Sequence, residues 1–317
     1  MFNIVQKRRW YFLLSALVIV PGLAVMLYST ITTGAPFRLS IDFLGGSIYE
    51  LKFESAGASE DGIRRVFTEF GDDNIIIQQI GGAGEFRWSV RAGFHEVAKT
   101  NDILTNLGEL APIDRDSFGI ETVSATIGGE VTRSALAAVA VGALVITGFI
   151  VIAFRQVPKA IRYGLCAIAA MIHDILVVMG VMSLLGLLLG WEIDALFLTA
   201  VLTVVGFSVQ DSIVVFDRIR ENIPKHLGEP YETIVNRSIW ETIHRSLATQ
   251  LNAFFIMIAI LLFGGETVKQ FIAILFIGLL SGTYSSIFTA VPLLVAWEKG
   301  ELPFIGSRVD ATAGEAA

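Results

Sequence analysis

The stretch that decides the fold is ALFLTAVLTVVGFSVQDSIVVF, residues 195–216, which is apolar apart from a few hydroxyl groups, one amide and one carboxyl, Asp211. It passes directly into the charged segment DRIREN, residues 217–222. At about 1.5 Å per residue the stretch can cross a hydrocarbon core about 30 Å thick. An ionised acid inside a membrane helix costs about 2.5 to 3.5 kcal/mol on insertion scales, so such residues usually serve transport. The stretch therefore predicts a membrane helix that carries a functional acid.

The composition extends this conclusion to the whole chain. Hydrophobic residues make up 54% of it and the mean hydropathy is +0.66, more than soluble domains carry. Windows of membrane-spanning length predict six spans, at 10–31, 134–154, 161–189, 195–216, 246–263 and 271–295. The chain is therefore predicted to be a polytopic α-helical membrane protein.

Basic residues predict the orientation of the spans, since Lys and Arg near span ends are retained in the cytoplasm. Such residues occur in 7–9, 155–162 and 218–237, which alternate with the acidic or nearly neutral loops 190–194 and 264–269. Both termini are therefore predicted to be cytoplasmic. The first apolar run is longer than the roughly 7 to 15 residues of a signal peptide core, so an uncleaved first helix is preferred over a signal peptide.

Between the first two predicted spans lies an insert without any membrane-length apolar stretch, residues 34–130. Alternating or continuous apolar residues predict strands at 47–53, 74–80, 86–91 and 120–127, with a short extra strand at 38–42. Helical spacing at 63–70, behind a cap at Ser59, and a looser pattern at 97–107 predict two helices. The order β-α-β-β-α-β predicts a ferredoxin-like α+β extracytoplasmic domain.

The predicted division of the chain follows from these assignments. A cytoplasmic N-terminus and first span occupy 1–33, the extracytoplasmic domain 34–130, and the remaining five spans 131–298 with a cytoplasmic loop at 217–244. Residues 299–317 form a cytoplasmic tail.

Several kinds of chemistry lack support in the sequence. No G-x-x-x-x-G-K-[ST] phosphate loop occurs, and the only cysteine, Cys166, falls inside the third predicted span. The histidines, His95, His173, His226 and His244, show no metal-type spacing. We therefore expect no enzymatic activity, no cofactor and no metal.

Arg245 is the second unusual charge, because it falls where the fifth predicted span begins. Asp211 lies about 24 Å from the outer end of its span and Arg245 about 28 Å from the outer end of its own, so the two could pair. Other polar residues recur at helical spacing around them: Ser208 and Ser212 beside Asp211, and Thr242, Thr249 and Asn252 beside Arg245. Spacing alone leaves two interpretations open, a proton site and a static pair that fixes helix register.

His173 and Asp174 form another polar position inside a predicted span. They follow Arg162 by 11 and 12 residues, too far for simple snorkelling to the interface. A second polar site and a helix-packing role both remain open for this pair.

Three long motifs resemble those of the SecD/SecF family of protein-export membrane proteins, within the resistance-nodulation-division superfamily. They are IDFLGG at 41–46, which includes Asp42, Gly45 and Gly46, VGFSVQDSIVVFDRIREN at 205–222, and the segment 236–247 around TIHRSL. The resemblance spans nearly the whole chain. It departs at Ser40, where the family often has Gly.

The resemblance implies an auxiliary subunit of the bacterial Sec translocase that uses the proton motive force in the cytoplasmic (inner) membrane. Asp211 and Arg245 would match the family's proton-conducting acid and its arginine. The implied partners are a SecD chain, the SecYEG translocon with YajC and YidC, protons and an unfolded translocating polypeptide; no nucleic acid is expected. A small-molecule or lipid exporter half and a passive translocon scaffold are the alternative functions.

Overall fold

A computed structural model describes residues 3–73, 75–80, 85–114, 117–155 and 159–301 of the chain. The fold divides into two compact units: Leu39–Ala137, and Met1–Arg38 together with Ala138–Ala317. The first unit begins and ends later than the predicted domain at 34–130. Most of the predicted C-terminal tail, from residue 302 onward, lies outside the described residues.

Helices make up most of the described structure. In chain order they are α1 (Arg8–Thr33), α2 (Ile41–Leu44), α3 (Glu60–Glu69), α4 (Val97–Leu110), α5 (Ala125–Ala153), α6 (Ala160–Leu189), α7 (Ala195–Asn222), α8 (Tyr231–Phe263), α9 (Glu266–Ser285) and α10 (Val291–Glu298). A turn of π-helix, Ser286–Ala290, joins α9 to α10 just before Pro292, whose missing N–H breaks the regular hydrogen-bond ladder. Helices α1, α5, α6, α7, α8 and the continuous α9–α10 are long and apolar enough to cross a membrane, which confirms the six predicted spans.

The six long helices are buried to very different extents. Half of the most apolar window of α6, of α7 and of α9–α10 is buried against the rest of the protein, compared with 17% for α8, 11% for α1 and 6% for α5. The centre of the unit formed by Met1–Arg38 and Ala138–Ala317, called the membrane unit below, is therefore α6, α7 and α9–α10. Close approach depends on small residues: a Cβ built on Gly180 of α6 would lie only 2.8 Å from the Cα of Gly22 in α1.

The other unit contains a four-stranded antiparallel sheet. Its strands are β1 (Gly46–Lys52), β2 (Ile76–Ile80), β3 (Arg87–Ala92) and β4 (Gly119–Val123), in the order β2-β3-β1-β4. Tyr49 on the central strand β1 is opposite Val90 of β3 and Ile120 of β4. Helices α3 and α4 pack on the sheet through buried residues such as Ile63 and Ile103. This is the ferredoxin-like arrangement predicted from the sequence.

The structure corrects the end of one predicted strand in this unit and does not contain another. The fourth strand ends at Val123 rather than continuing to residue 127, because Ser124 starts α5: its Oγ accepts from Ile127 N at 3.4 Å and its carbonyl accepts from Gly128 N at 3.0 Å. The extra strand at 38–42 is instead the single turn α2, because Ser40 Oγ accepts from Asp42 N at 3.1 Å and caps the turn.

The segment 217–244, predicted as a loop, is also largely helical. Helix α7 continues to Asn222 and α8 begins at Tyr231, which leaves only residues 223–230 between them. Ion pairs stabilise these charged extensions, with Arg220 contacting Asp217 at 2.6 Å and Arg218 contacting Glu241 at 2.6 Å. Charge marks where a span leaves the hydrocarbon, but it does not end the helix.

Candidate functional site

Asp211 is buried on the inner face of α7, with 7% of its surface exposed. Its Oδ2 accepts a hydrogen bond of 2.6 Å from Nε2 of Gln250 on α8. Gln250 is itself 2% exposed and lies on the buried face of α8 together with Ser246 and Met257. The acid is therefore held between two packed membrane helices by an amide.

The structure changes the partner that the sequence suggested for this acid. Arg245 is exposed, and among the residues that the structure describes no ion pair joins it to Asp211. Arg245 precedes Gln250 by five residues, which places the two side chains about 140° apart around α8 at 3.6 residues per turn. Since Gln250 faces α7, Arg245 faces away from it. The predicted pairing of Arg245 with Asp211 is therefore not seen, because α8 is rotated so that Gln250 faces α7.

The polar stripe predicted around Arg245 exists and points outward. Thr249 and Asn252 are exposed like Arg245, while Thr242 alone is buried. Thr249 Oγ1 donates to the carbonyl of Arg245 at 3.0 Å. Polar side chains on a membrane helix normally face a protein interior or a water-filled cavity rather than lipid. This face of α8 therefore has the character of a surface that another polypeptide covers.

Asp174 on α6 is the most enclosed carboxyl of the described residues, with no exposed surface. Ser208 Oγ of α7 donates to its Oδ2 at 2.5 Å and Ser285 Oγ of α9 donates to the same oxygen at 2.7 Å. Ser281 Oγ of α9 donates to Oδ1 at 2.6 Å, and His173 Nδ1 lies 3.0 Å from Oδ1. One carboxylate thus joins the three central helices. Ser208 was predicted to support Asp211, but its hydroxyl serves Asp174 instead.

His173 extends this cluster toward α1. Its Nε2 lies 3.1 Å from Ser15 Oγ of α1, and its ring stacks on Tyr284 with centroids 5.9 Å apart. Gly282 of α9 lies beside the carboxylate, where an added Cβ would be 3.3 Å from the Cβ of Ser208. The pair left open in the sequence therefore forms a second polar site, which also packs helices together.

Two buried polar atoms close to Asp211 in the sequence or in space have no hydrogen-bond partner among the described residues. They are Oγ of Ser212, which is fully buried, and Oε1 of Gln250. A buried acceptor without a partner costs about 1 to 3 kcal/mol. The surroundings of Asp211 are therefore incompletely satisfied, whereas those of Asp174 are filled with donors.

Comparison with known proteins identifies the family of this chain. The family model for the SecD/SecF protein export membrane protein, C-terminal part, matches residues 103–300, and the SecD/SecF GG motif matches residues 30–56. The chain belongs to the SecD/SecF family. A protein translocase subunit SecF from Thermobaculum terrenum is 40% identical, and the match covers 99% of both chains.

Longer members of the SecD/SecF family show the same likeness over part of their length. Protein translocase subunit SecDF of Bacillus subtilis is 28% identical over 95% of this chain. The crystal structure of SecDF, a translocon-associated membrane protein from Thermus thermophilus, superposes with a TM-score of 0.76 at 32% identity and 94% coverage of this chain. The chain spans 39% of the length of each of these two SecDF proteins.

The SecD/SecF GG motif has a clear conformational reason in this structure. Gly45 has φ +76° and Gly46 has φ +131°, backbone conformations that disfavour side chains. A Cβ on Gly45 would lie 2.7 Å from the backbone of Ala125, and one on Gly46 would lie 2.9 Å from the carbonyl oxygen of Ala92. Asp42 lies in the capped turn immediately before them. The motif therefore shapes the α+β unit where α2 meets the first turn of α5.

Sequence reasoning missed Gln250, the residue that contacts Asp211. A signal was available, because Gln250 repeats at four residues from Ser246 and at eight from Thr242, which together with Met257 form one helical face. Arg245, Thr249 and Asn252 drew attention as the more conspicuous polar set. Both sets are consistent with helical spacing, and only packing shows which of them faces α7.

Proposed function

We propose that this chain is the SecF-type subunit of the Sec protein-export machinery, and that with a SecD-type partner it uses the proton motive force to promote export of polypeptides. Membership in the SecD/SecF family supports the export role. The likeness to two SecDF proteins, of which this chain spans 39%, supports association with a SecD-type chain that supplies the remaining part. The proton role of Asp211 rests on its surroundings in the membrane helices.

One observation carries the proton role: Asp211 is an acid buried inside a membrane span whose nearest polar partner is a neutral amide. A buried acid that a cation neutralises can remain permanently ionised, but an acid beside an amide has no such fixed counter-charge. Protonation is then the available route to neutrality. A change in charge at this position would alter the packing of α7 against α8.

The exposed stripe on α8 supports a two-part machine. Arg245 with Thr249 and Asn252 would face the SecD-type half, where the guanidinium would pair with an acid that the partner supplies. This arrangement keeps Arg245 in the proton path while leaving Asp211 with Gln250. It also makes the isolated chain inactive.

The placement of the chain in the cell follows from its charges. We place it in the bacterial cytoplasmic membrane with both termini inside, since basic residues gather at one set of span ends. The α+β unit then lies outside the cytoplasm, where it contacts the unfolded polypeptide emerging from SecYEG, with YajC and YidC as further neighbours. In this scheme the protein moves protons and polypeptide without chemically converting either, so the proposed role is not that of an enzyme.

The energy source is adequate only if several protons are used. One proton crossing 100 mV supplies about 2.3 kcal/mol. Since a bias of a hundredfold in a conformational equilibrium needs about 2.8 kcal/mol, one proton falls just short of it and several per cycle provide a strong directional bias.

The test replaces Asp211 with Asn in the complex with the SecD-type chain. Proton flux and preprotein release are measured in vesicles, and Asp217→Asn serves as the matched control, since Asp217 lies on the same helix in a partly exposed ion pair with Arg220. We expect Asp211→Asn to abolish proton-dependent release and Asp217→Asn to retain it. Full flux and release with Asp211→Asn would refute the proton role and favour a passive scaffold.

A further inference from the structure

The amide of Gln250 is only half used in the contact with Asp211. Its Nε2 donates to Asp211 Oδ2 at 2.6 Å, while its Oε1 is buried without a partner among the described residues. Gln250 is 2% exposed, so bulk water does not donate a hydrogen bond to this oxygen. A strong acceptor is therefore placed beside an acid and receives no hydrogen bond from it in the ionised state, because an ionised carboxylate has no proton to donate.

Protonation of Asp211 supplies the missing donor. A carboxylic acid has one O–H donor and one carbonyl acceptor, and a primary amide has N–H donors and one carbonyl acceptor. The two groups can therefore form a cyclic pair, in which the acid O–H donates to the amide oxygen while the amide N–H donates to the other acid oxygen. The present contact between Nε2 and Oδ2 is already one half of that pair.

Asp174 shows the contrasting case in the same bundle. Three serine hydroxyls and a histidine ring nitrogen surround its carboxylate, and every one of these groups can donate. Hydrogen bonds to the charged form of an acid favour that form. Both oxygens of Asp174 are thus already engaged by several groups, whereas Asp211 contacts one amide that can bond to the charged and to the neutral acid.

We infer that Gln250 is the positioning residue for the proton carried by Asp211: its Nε2 holds the ionised acid, and its Oε1 accepts the hydrogen bond of the protonated acid. This inference rests on the proposed function. It gives α8 a direct means of sensing the charge state of α7, because the number of hydrogen bonds between Asp211 and Gln250 changes from one to two when the proton binds.

None of the described charged groups near Asp211 changes its hydrogen bonding with the proton on Asp211 as Gln250 does. Asp174 of α6 is occupied by its own donors, including Ser208 on α7, and His173 contacts Asp174 and Ser15. Arg245 of α8 faces outward, and α9 contributes the hydroxyls of Ser281 and Ser285 to Asp174. Among the described groups, Gln250 is therefore the one whose hydrogen bonding changes directly with the proton on Asp211.

The test uses infrared difference spectroscopy on the purified complex with the SecD-type chain. The carbonyl stretching band of protonated Asp211 is identified by its loss in Asp211→Asn, and its frequency is compared with that in Gln250→Met, which retains the length of the side chain without the amide. Leu251→Met is the matched control, because it places the same residue at the next position on the exposed side of α8. Gln250→Asn keeps an amide that is one methylene shorter.

We expect Gln250→Met to move the Asp211 band to higher frequency, as for an acid that has lost its hydrogen bonds, and to lower proton-driven release about five- to tenfold, the effect of one or two lost hydrogen bonds. Gln250→Asn should recover part of both, and Leu251→Met should leave both unchanged. This pattern would distinguish positioning of the proton from a general packing role.

Two results separate failure of this inference from failure of the proposed function. A band that Asp211→Asn removes but Gln250→Met does not shift would overturn the role of Gln250, even if activity fell. If no pH-dependent band is lost in Asp211→Asn, the acid does not carry a proton, and the proposed function fails together with the inference. If Gln250→Met does not assemble, the shorter amide of Gln250→Asn must still shift the band, and an unshifted band there overturns the inference.

Discussion

Removing the carboxylate of Asp174 should destabilise the membrane unit more than any comparable change at an exposed acid. Its two oxygens accept from Ser208, Ser281 and Ser285 at 2.5 to 2.7 Å and contact His173 at 3.0 Å. Asp174→Leu deletes all four contacts at once and leaves three buried hydroxyls facing an apolar side chain. Asp174→Asn retains one acceptor oxygen but places an N–H₂ group where two hydroxyls now donate.

The size of the effect can be worked from these contacts. Hydrogen bonds between membrane helices average about 0.6 kcal/mol in double-mutant cycles, so four of them amount to about 2.4 kcal/mol. Bonds to a charged group are worth about 1.5 to 3 kcal/mol each in proteins generally, which sets a higher limit. Removing a buried charge also recovers its desolvation cost, which opposes the loss. We therefore expect about 2 to 3 kcal/mol for Asp174→Leu and about half of that for Asp174→Asn.

The assay is thermal unfolding of the complex in a fixed detergent or in nanodiscs. Asp217→Asn is the matched control for Asp174→Asn, because the side chain of Asp217 is 45% exposed and its ion pair with Arg220 is worth at most about 1 kcal/mol. A double-mutant cycle of Asp174→Asn with Ser281→Ala should show strong non-additivity, since both changes remove the same contact. If Asp174→Leu unfolds at the same temperature as Asp217→Asn and the wild type, the cluster around Asp174 does not hold the helices together and the reasoning fails.

Two further predictions concern the α+β unit. Burial lowers the pKa of His95 from its ordinary value of 6.5, against the opposing charge of Asp72, so the unfolded state binds the proton more tightly than the folded one. Stability should therefore be complete above about pH 6.5 and decline below it, and His95→Gln should flatten that decline in hydrogen exchange measured between about pH 8 and pH 5; an unchanged slope would contradict the assignment. Gly45→Ala should destabilise this unit by clearly more than Gly71→Ala, since both have positive φ but only Gly45 has backbone within 3 Å of the added Cβ. Equal losses of unfolding free energy for the two variants would show that conformation alone explains the motif.

The architecture could be predicted because it depends on patterns that the sequence shows directly. Six apolar stretches of membrane length require six helices, since the backbone of an exposed segment in lipid must satisfy its own hydrogen bonds. The alternation at Trp88 and Val90 and the spacing of Ile63 and Phe67 likewise express the two periods of strand and helix. Each of these features is local, so no knowledge of packing is needed.

The partner of Asp211 could not be predicted in the same way, because it depends on how α8 is rotated about its axis. The set Arg245, Thr249 and Asn252 and the set containing Gln250 are both regular helical stripes. A soluble helix would bury its apolar stripe, but in a membrane the apolar stripe can face lipid and the polar stripe can face either protein partner. The prediction chose Arg245 because it is charged, whereas in the packed structure Gln250 contacts Asp211.

The predicted ends of two elements are wrong for a related reason, since they too depend on contacts of individual side chains. Residues 217–222 are charged enough to leave the hydrocarbon, and their ion pairs then stabilise the helix in water, so α7 continues to Asn222. At the start of α5, the alternation that predicted a strand to residue 127 is interrupted by the cap at Ser124, which satisfies the first free N–H groups of a helix. In both places a few side-chain contacts, ion pairs at the end of α7 and the Ser124 cap at the start of α5, decide where the helix ends or begins.

The two buried acids together suggest how one bundle can be both held together and responsive. The carboxyl of Asp174 joins α6, α7 and α9 through four contacts at once. Asp211 is one helical turn from Ser208 of that cluster on the same helix, yet its amide partner accommodates both states. Asp174 therefore anchors α7 within the core of the bundle, while in the proposed function a proton on Asp211 would act on α8, the more peripheral helix. A proton that binds Asp211 would then change the contact of the core with α8, which is the helix that carries the exposed polar stripe of Arg245, Thr249 and Asn252.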